Sequence, residues 1–151
     1  MRVGLISDTH GLLRPEALDY LAGSDHIVHG GDIGGPDILE RLAEIAPVTV
    51  VRGNNDIAAW ARAIPDTVRL ELDGVALYLI HDLKALAIDP AAEGVRVVLS
   101  GHSHKPACSE RDGVLYVNPG SAGKRRFSLP ISAGELFIEN GQLRVAFATL
   151  V

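Results

Sequence analysis

The chain has 151 residues, a formal net charge of −5 and a hydrophobic fraction of 47%. This length suits one domain with its own core, so we expect a single domain over residues 1–151. The composition argues against disorder, and the negative charge argues against binding to extended nucleic acid. No apolar run reaches the roughly 20 residues that a membrane-spanning helix needs. The single cysteine, Cys108, and a first segment unlike a signal peptide predict a cytoplasmic protein.

The first third of the chain alternates strands with helices. Apolar strands are predicted over residues 3–7, 27–29 and 48–51. Helices are predicted to begin near Pro15 and Pro36, because proline is favoured in a first helical turn and apolar residues follow at helical spacing. This order predicts parallel strands joined by right-handed crossovers.

The rest of the chain is rich in hairpin signals. Asp73-Gly74 and Asn140-Gly141 are two-residue turns that favour tight antiparallel hairpins. A short helix is predicted over residues 83–92. Further strands are predicted over residues 68–72, 75–80, 95–100, 114–117, 135–138 and 143–147. Together these elements indicate one mixed sheet or two stacked sheets, with helices outside.

Five of the predicted strands lead directly into polar residues that can bind metal ions. These segments are Asp8-Thr9-His10, Gly30-Gly31-Asp32, Gly53-Asn54-Asn55-Asp56, His81 and Gly101-His102-Ser103-His104. Because the carboxyl ends of parallel strands share one edge of a sheet, side chains far apart in sequence would meet there. Carboxylates, imidazoles and an amide suit a pair of first-row divalent ions.

Each of these segments also has a simpler structural interpretation. Asp8 and Asp32 could cap helices, the Asn54-Asn55 segment could form a turn, and His81 could be an ordinary core histidine. Gly101-His102-Ser103-His104 is the most specific of the five. The concentration of all five segments at one predicted sheet edge favours metal binding. His26 and His29 lie within or before a strand, so we interpret them as structural, with His29 at most close to the site.

In this order the motifs resemble those of the calcineurin-like metallophosphoesterases, and more narrowly the small YfcE-like phosphodiesterases. The shared pattern is Asp-x-His, Gly-Asp, Gly-Asn-x-Asp, a lone His and Gly-His-x-His, and it covers residues 3 to about 123. Asn118-Pro119-Gly120-Ser121 also matches the small members, although a Pro-Gly turn would explain it equally well. The resemblance implies a four-layer αββα sandwich of mixed β-sheets flanked by helices.

The resemblance also implies a dinuclear metal site. One ion would be held by Asp8, His10, Asp32 and His104, and the other by Asp32, Asn54, His81 and His102. Manganese is the usual activating ion of the family, and nickel, cobalt, iron or zinc could occupy the same ligands. The implied activity is hydrolysis of phosphodiesters, and also of phosphomonoesters, by a metal-bound hydroxide, with catalytic roles for Asp32, Asn54 and Asn55.

Two departures from the family pattern bear on the chemistry. The residue after the ligand asparagine is His in many superfamily phosphatases and Cys in many small members, but here it is Asn55. Asparagine cannot transfer a net proton, so Asn55 cannot act as a general acid. After His81, where small relatives often carry Gly-His, this chain has Asp82-Leu83.

We expect a small phosphate ester as substrate, no membrane partner and no extended nucleic acid. Pairing of the final hairpin with a second copy would give a homo-oligomer. The alternative is a non-catalytic metal-binding scaffold like a retromer subunit of this fold, and a nuclease is less favoured because of the acidic charge.

Arg52 and Ser121 could approach a phosphate, or Arg52 could form a surface salt bridge. Lys124-Arg125-Arg126 is either a solvated loop or a lip for a second phosphate, and Trp60 is interpreted as a packing residue.

Overall fold

The computed structural model describes residues 1–151 and contains ten strands, two α-helices and two short 3₁₀ turns. The strands are β1 (Arg2–Ile6), β2 (His26–His29), β3 (Val48–Val50), β4 (Thr67–Leu72), β5 (Val75–Ile80), β6 (Val97–Leu99), β7 (Ala107–Arg111), β8 (Val114–Asn118), β9 (Ser132–Glu139) and β10 (Gln142–Thr149). The helices are α1 (Pro15–Leu21) and α2 (Pro36–Ala43), and the 3₁₀ turns are Ala59–Ala61 and Leu83–Ala85.

The first sheet has the strand order β10-β9-β1-β2-β3. Strands β1, β2 and β3 are parallel, as the alternation of strands and helices predicted, whereas β9 and β10 form the antiparallel hairpin around Asn140-Gly141. Both α-helices begin at a proline and cover the outer face of this sheet. Leu21, Ile38 and Leu42 are fully or almost fully buried in that layer, which also includes the half-buried Trp60, a packing residue as expected.

The second sheet has the strand order β4-β5-β6-β8-β7. Its two hairpins turn at Asp73-Gly74 and Asp112-Gly113, and all four of these residues have positive φ. Such turns match the right-handed twist of the strands they join. Strands β5, β6 and β8 are parallel to one another, so their carboxyl ends point the same way.

The two sheets pack face to face around an apolar core that both supply. Leu5 and Val28 from the first sheet meet Leu77, Leu79 and Leu99 from the second, each exposed by at most 2%. This arrangement confirms the predicted α/β sandwich of two mixed sheets. No helix of the structure is long and apolar enough to cross a membrane.

The outer face of the second sheet differs from the sequence prediction. The helix predicted over residues 83–92 is wrong, because only the 3₁₀ turn Leu83–Ala85 forms and Leu86 already has extended backbone angles. Pro90 has no amide hydrogen to donate and disfavours helical geometry at Asp89. The outer layer here is therefore a turn and a loop whose apolar side chains cover only part of the sheet. Strand β7, which the sequence analysis missed, is exposed along its whole length.

Candidate metal centre

All of the predicted ligand residues lie at one end of the sandwich, in the loops that follow five parallel strands. The first sheet supplies Asp8 and His10 after β1, Asp32 after β2 and Asn54 after β3. The second sheet supplies the histidines that follow β5 and β6, namely His81, His102 and His104. Because the sheets face each other, the site is built from both of them rather than from the edge of one open sheet.

The titratable ligand residues form two adjacent groups. Asp8, His10 and His104 place their ligand atoms within 4.8 Å of one another, and so do Asp32, His81 and His102. Asp32 joins the groups, because its Oδ2 lies 3.7 Å from His10 Nε2 and 3.2 Å from His81 Nε2. The residues that the sequence predicted as ligands therefore lie together, with Asp32 between the two groups, and their role as ligands stays a prediction.

Asn54 completes the second group. Its Oδ1 lies 3.0 Å from His81 Nε2 and 3.2 Å from His102 Nδ1. His81 donates its Nδ1 hydrogen to the Gly30 carbonyl at 2.7 Å, which directs Nε2 toward the centre, as is usual for a metal-binding histidine. Spacings of this size are those of neighbouring donor atoms on one ion with ligand bonds of about 2.1 Å.

Unpaired buried atoms test whether these residues fit divalent ions. Asp8 Oδ1 and His10 Nε2 are buried in the first group and have no hydrogen-bond partner. Asp8 Oδ2, in contrast, accepts hydrogen bonds from the Ser7 hydroxyl at 2.7 Å and from the His102 amide at 3.1 Å. Since buried polar atoms in folded proteins normally have partners, the unpaired oxygen and nitrogen fit a cation between them.

The backbone is strained where the ligands are attached. Five of the nine non-glycine residues with positive φ are predicted ligands, and three of the other four lie in hairpin turns. The five ligands, with φ between 46° and 70°, are Asp8, His10, Asp32, His102 and His104. Such conformations are costly for residues other than glycine, and they concentrate at functional sites.

Two glycines allow the loops to approach each other closely. A Cβ atom at Gly53 would overlap Asp32 Oδ1, and a Cβ at Gly101 would overlap Ser7 Oγ and lie 2.7 Å from Asp8 Oδ2. Side chains at these positions would displace the two ligand carboxylates. The glycines in the motifs therefore leave room for the ligands.

The two carboxylates have different electrostatic environments. Burial raises the pKa of Asp8, although the Ser7 hydroxyl and the charges of His81 and His104 oppose this effect. Burial would also raise the pKa of Asp32, but hydrogen bonds from His81 and Asn55 outweigh it and lower that pKa to about 2. Burial lowers the pKa of His104, which favours the neutral imidazole that can coordinate a metal.

Asn55 contacts Asp32 directly. Its backbone amide donates to Asp32 Oδ1 at 2.9 Å, and its side-chain Nδ2 donates to Asp32 Oδ2 at 3.2 Å. The residue that occupies the position of the family's histidine thus holds the carboxylate shared by both groups.

Several contacts around the site could not be assigned from the sequence. The buried Asp56 carboxylate accepts hydrogen bonds from the amides of Ile33, Gly34 and Gly53, which connects the loops after β2 and β3. Ser121 donates its hydroxyl to the Asp8 carbonyl at 3.0 Å. The aspartate in Gly-Asn-x-Asp was the only sequence signal for the first of these contacts.

Three further segments with candidate roles lie around the ligand groups. Arg52 donates from Nε and Nη2 to Asp66 Oδ1 at 3.0 and 2.9 Å, so it forms the surface salt bridge rather than a phosphate contact. Asn118 donates to the Gly101 carbonyl at 2.8 Å and supports the loop after β6. Lys124, Arg125 and Arg126 are exposed, and the charge of Arg126 contributes to the lowered pKa of His104, which places it beside the site.

Comparisons with known proteins agree with this arrangement. Residues 1–141 match the model of the calcineurin-like phosphoesterase superfamily domain. The chain belongs to this family, whose members are phosphoesterases and bind divalent metals, and the predicted enzyme class is confirmed.

Similar proteins include a "Probable metallophosphoesterase" of Methanothermobacter thermautotrophicus. It is 34% identical over 142 residues, which cover 86% of this chain and 82% of that protein. The phosphodiesterase YfcE of Escherichia coli K12 is 29% identical over 166 aligned positions, which cover 90% of this chain and 87% of that protein. Among solved structures, Vps29 of Chaetomium thermophilum has a TM-score of 0.78 at 20% identity, covering 98% of this chain and 96% of that one, which shows a shared fold.

Proposed function

We propose that this chain is a dinuclear-metal-dependent phosphodiesterase that also accepts phosphomonoesters. The observation that carries the proposal is the pair of ligand groups joined at Asp32, with unpaired buried atoms in the first group. The phosphodiesterase name of the YfcE relative supports the reaction class. Manganese is the ion we expect, and nickel, cobalt, iron and zinc also suit nitrogen and oxygen ligands.

When bound, two divalent ions supply Lewis acidity, a positive field that attracts a phosphate ester, and water of lowered pKa as nucleophile. The protein's contribution is to hold the ligands. Ser7 and the His102 amide fix one oxygen of Asp8 and leave the other free for the first ion. Asn55 holds Asp32 between the groups, and Gly30 orients His81.

The leaving group receives no proton from Asn55, whose amide cannot titrate. We therefore expect substrates whose leaving groups depart as stable anions to react fastest. Hydrolysis of p-nitrophenyl esters should be efficient, and esters of simple alcohols should react slowly.

The test is hydrolysis of bis(p-nitrophenyl) phosphate and p-nitrophenyl phosphate by metal-stripped protein, with manganese, nickel, zinc or magnesium added back. We expect a transition metal to restore turnover, the diester to be preferred, and Asp32→Asn to reduce turnover to background. Asp66→Asn is the matched control, because Asp66 is an exposed carboxylate paired only with Arg52.

Two results would overturn the proposal. Full turnover by Asp32→Asn would exclude the shared carboxylate. Absence of turnover with every metal, when two bound ions are measured per chain, would instead indicate the non-catalytic scaffold.

A further inference from the structure

A groove of about 540 Å³ lies on the second sheet beside the metal centre. It occupies the part of the sheet that the reduced outer layer leaves open. The 3₁₀ turn at Leu83–Ala85 forms one wall, the exposed strand β7 forms the other, and β8 lies between them. The sequence predicted a helix over residues 83–92 beside this part of the sheet, but only the 3₁₀ turn Leu83–Ala85 forms.

The lining of the groove suits a flat apolar group. Leu83, Ala107 and Tyr116 line it, and Tyr116 is half-buried on β8. The Arg111 guanidinium lies 4.3 Å from the centre of the Tyr116 ring, and this cation–π contact restrains the ring. Asp82 accepts a hydrogen bond from the Lys84 amide at 3.0 Å and thereby fixes the opposite wall.

The groove is continuous with the metal centre through His102. His102 lines the groove, and its Nδ1 also lies 3.2 Å from Asn54 Oδ1 in the second ligand group. Its side chain is 44% exposed, which makes it the most exposed of the four histidines in the two groups. Asn118 donates to the Gly101 carbonyl and, at 3.0 Å, to Ser103 Oγ, so the floor between groove and centre is fixed.

We propose that this groove binds a planar aromatic group of the phosphate ester, an aryl ring or a nucleobase, while the phosphate lies at the metal centre. The inference rests on the proposed function and specifies its substrate class. The continuity at His102 favours this occupant, because an organic group attached to a phosphate at the centre can extend directly into the groove. Leu83, Ala107 and Tyr116 would cover part of the apolar surface of a ring bound there.

The test compares two phosphonates that differ only in their organic group. Isothermal titration of manganese-loaded protein with phenylphosphonate and with methylphosphonate measures binding without requiring turnover. We expect phenylphosphonate to bind about tenfold more tightly, because its ring adds buried apolar area.

Filling the groove should remove this preference. Ser109 lines the groove on the exposed strand β7, so the variant Ser109→Trp should fold. Its affinity for methylphosphonate should be unchanged, and phenylphosphonate should bind no more tightly than methylphosphonate. Ala107→Trp fills the groove from the adjacent exposed position and should act in the same way. Cys108→Trp is the matched control, because successive side chains of a strand point to opposite faces and Cys108 is exposed.

The result separates this inference from the proposed function. A tenfold preference without detectable hydrolysis would support the groove and overturn only the esterase. Equal binding of the two phosphonates by wild-type protein would overturn the groove.

Discussion

His29 is fully buried between the two loops that carry Asp8 and Asp32, and its hydrogen bonds fix the position of its proton. The Gly31 amide donates to Nδ1 at 3.0 Å, so the hydrogen is on Nε2, which donates to Thr9 Oγ1 at 3.0 Å. Thr9 in turn donates to the Ile33 carbonyl at 2.7 Å. This neutral histidine therefore joins the loops after β1 and β2, in agreement with its structural interpretation from the sequence.

We predict that His29 makes the metal-free protein less stable in acid. Burial, together with the charge of His81, lowers the pKa of His29 to about 3, against about 6.5 in an unfolded chain. Between these values the unfolded chain binds a proton that the folded chain excludes, so the free energy of unfolding falls as the pH decreases from about 6.5 toward 3.

The measurement is urea unfolding of metal-free protein between pH 7 and 4.5. His29→Gln should lower stability at pH 7 but show a shallower pH dependence, by up to about 1.4 kcal/mol per pH unit. His26→Gln is the control, because His26 is only partly buried and should change the slope less. Parallel slopes for wild type and His29→Gln would contradict the prediction.

That the candidate ligands lie together could be predicted from the sequence, whereas the contacts that hold them in place could not. Asp8, Asp32 and His102 directly follow apolar strands, and strand direction alone brings such positions together. The contacts of Ser121 and Asn118 depend on how distant loops meet, which local patterns do not encode. Asn55 was recognised only as a departure from the family, and its contact with Asp32 required the structure.

At the level of elements, the loops after β2 and β3 are joined by one buried carboxylate. Asp56 is 3% exposed, and its oxygens accept from the Ile33 amide at 2.9 Å and the Gly53 amide at 2.9 Å. The loops it connects carry Asp32 and Asn54. A turn was one of two interpretations of this segment from the sequence, and it is present. The contact with the neighbouring loop depends on the parallel pairing of the strands.

We predict that Asp56→Ala destabilises the protein by about 2–4 kcal/mol, because several amides would lose their buried acceptor. Divalent metal affinity should fall about 10- to 100-fold, since the ligand loops would no longer be fixed. Urea unfolding of metal-free protein and metal titration of the folded variant measure the two effects separately. Asp66→Ala, which removes an exposed carboxylate, should change stability by less than about 1 kcal/mol. Unchanged metal affinity in folded Asp56→Ala would show that Asp56 has no role in positioning the ligands.

The outer layer of the second sheet shows why element prediction failed at one place. Leu83 and Leu86 have the i, i+3 spacing of a helix, but Ile88 follows Leu86 by two residues, a spacing that suits extended backbone. All three pack against the sheet. Asp89-Pro90 and Gly94 interrupt the segment, so the same apolar residues are presented by a turn and a loop. The sequence placed an element against this face of the sheet, but the helix it predicted does not form.

For the molecule as a whole, the sequence left open whether the strands form one sheet or two. Strands β1 to β3 and β5 to β8 each follow local rules of pairing, and either arrangement would satisfy them. The choice depends on the apolar residues of both sheets, which are distant in sequence and pack against each other. As a consequence, the ligands are divided between two sheets that no backbone hydrogen-bond ladder joins.

Bound ions should therefore stabilise the whole sandwich. Asp8 and His10 belong to the first sheet and His104 to the second, so one ion held by all three links the sheets. Saturation at about one hundred times the dissociation constant adds about 2.7 kcal/mol for each site, provided that the unfolded chain does not bind the ion. For a chain of this length we expect a rise in melting temperature of about 5–10 °C for each ion.

Calorimetry in chelator and in increasing manganese tests this prediction, with binding measured in parallel. Wild-type protein should show two increments of stabilisation. His81→Ala removes a ligand of the second group only and should retain one, whereas Asp32→Asn weakens the carboxylate shared by both groups and should lose most of the effect. A melting temperature that stays constant while two ions bind would contradict binding restricted to the folded sandwich, because such binding must raise its stability.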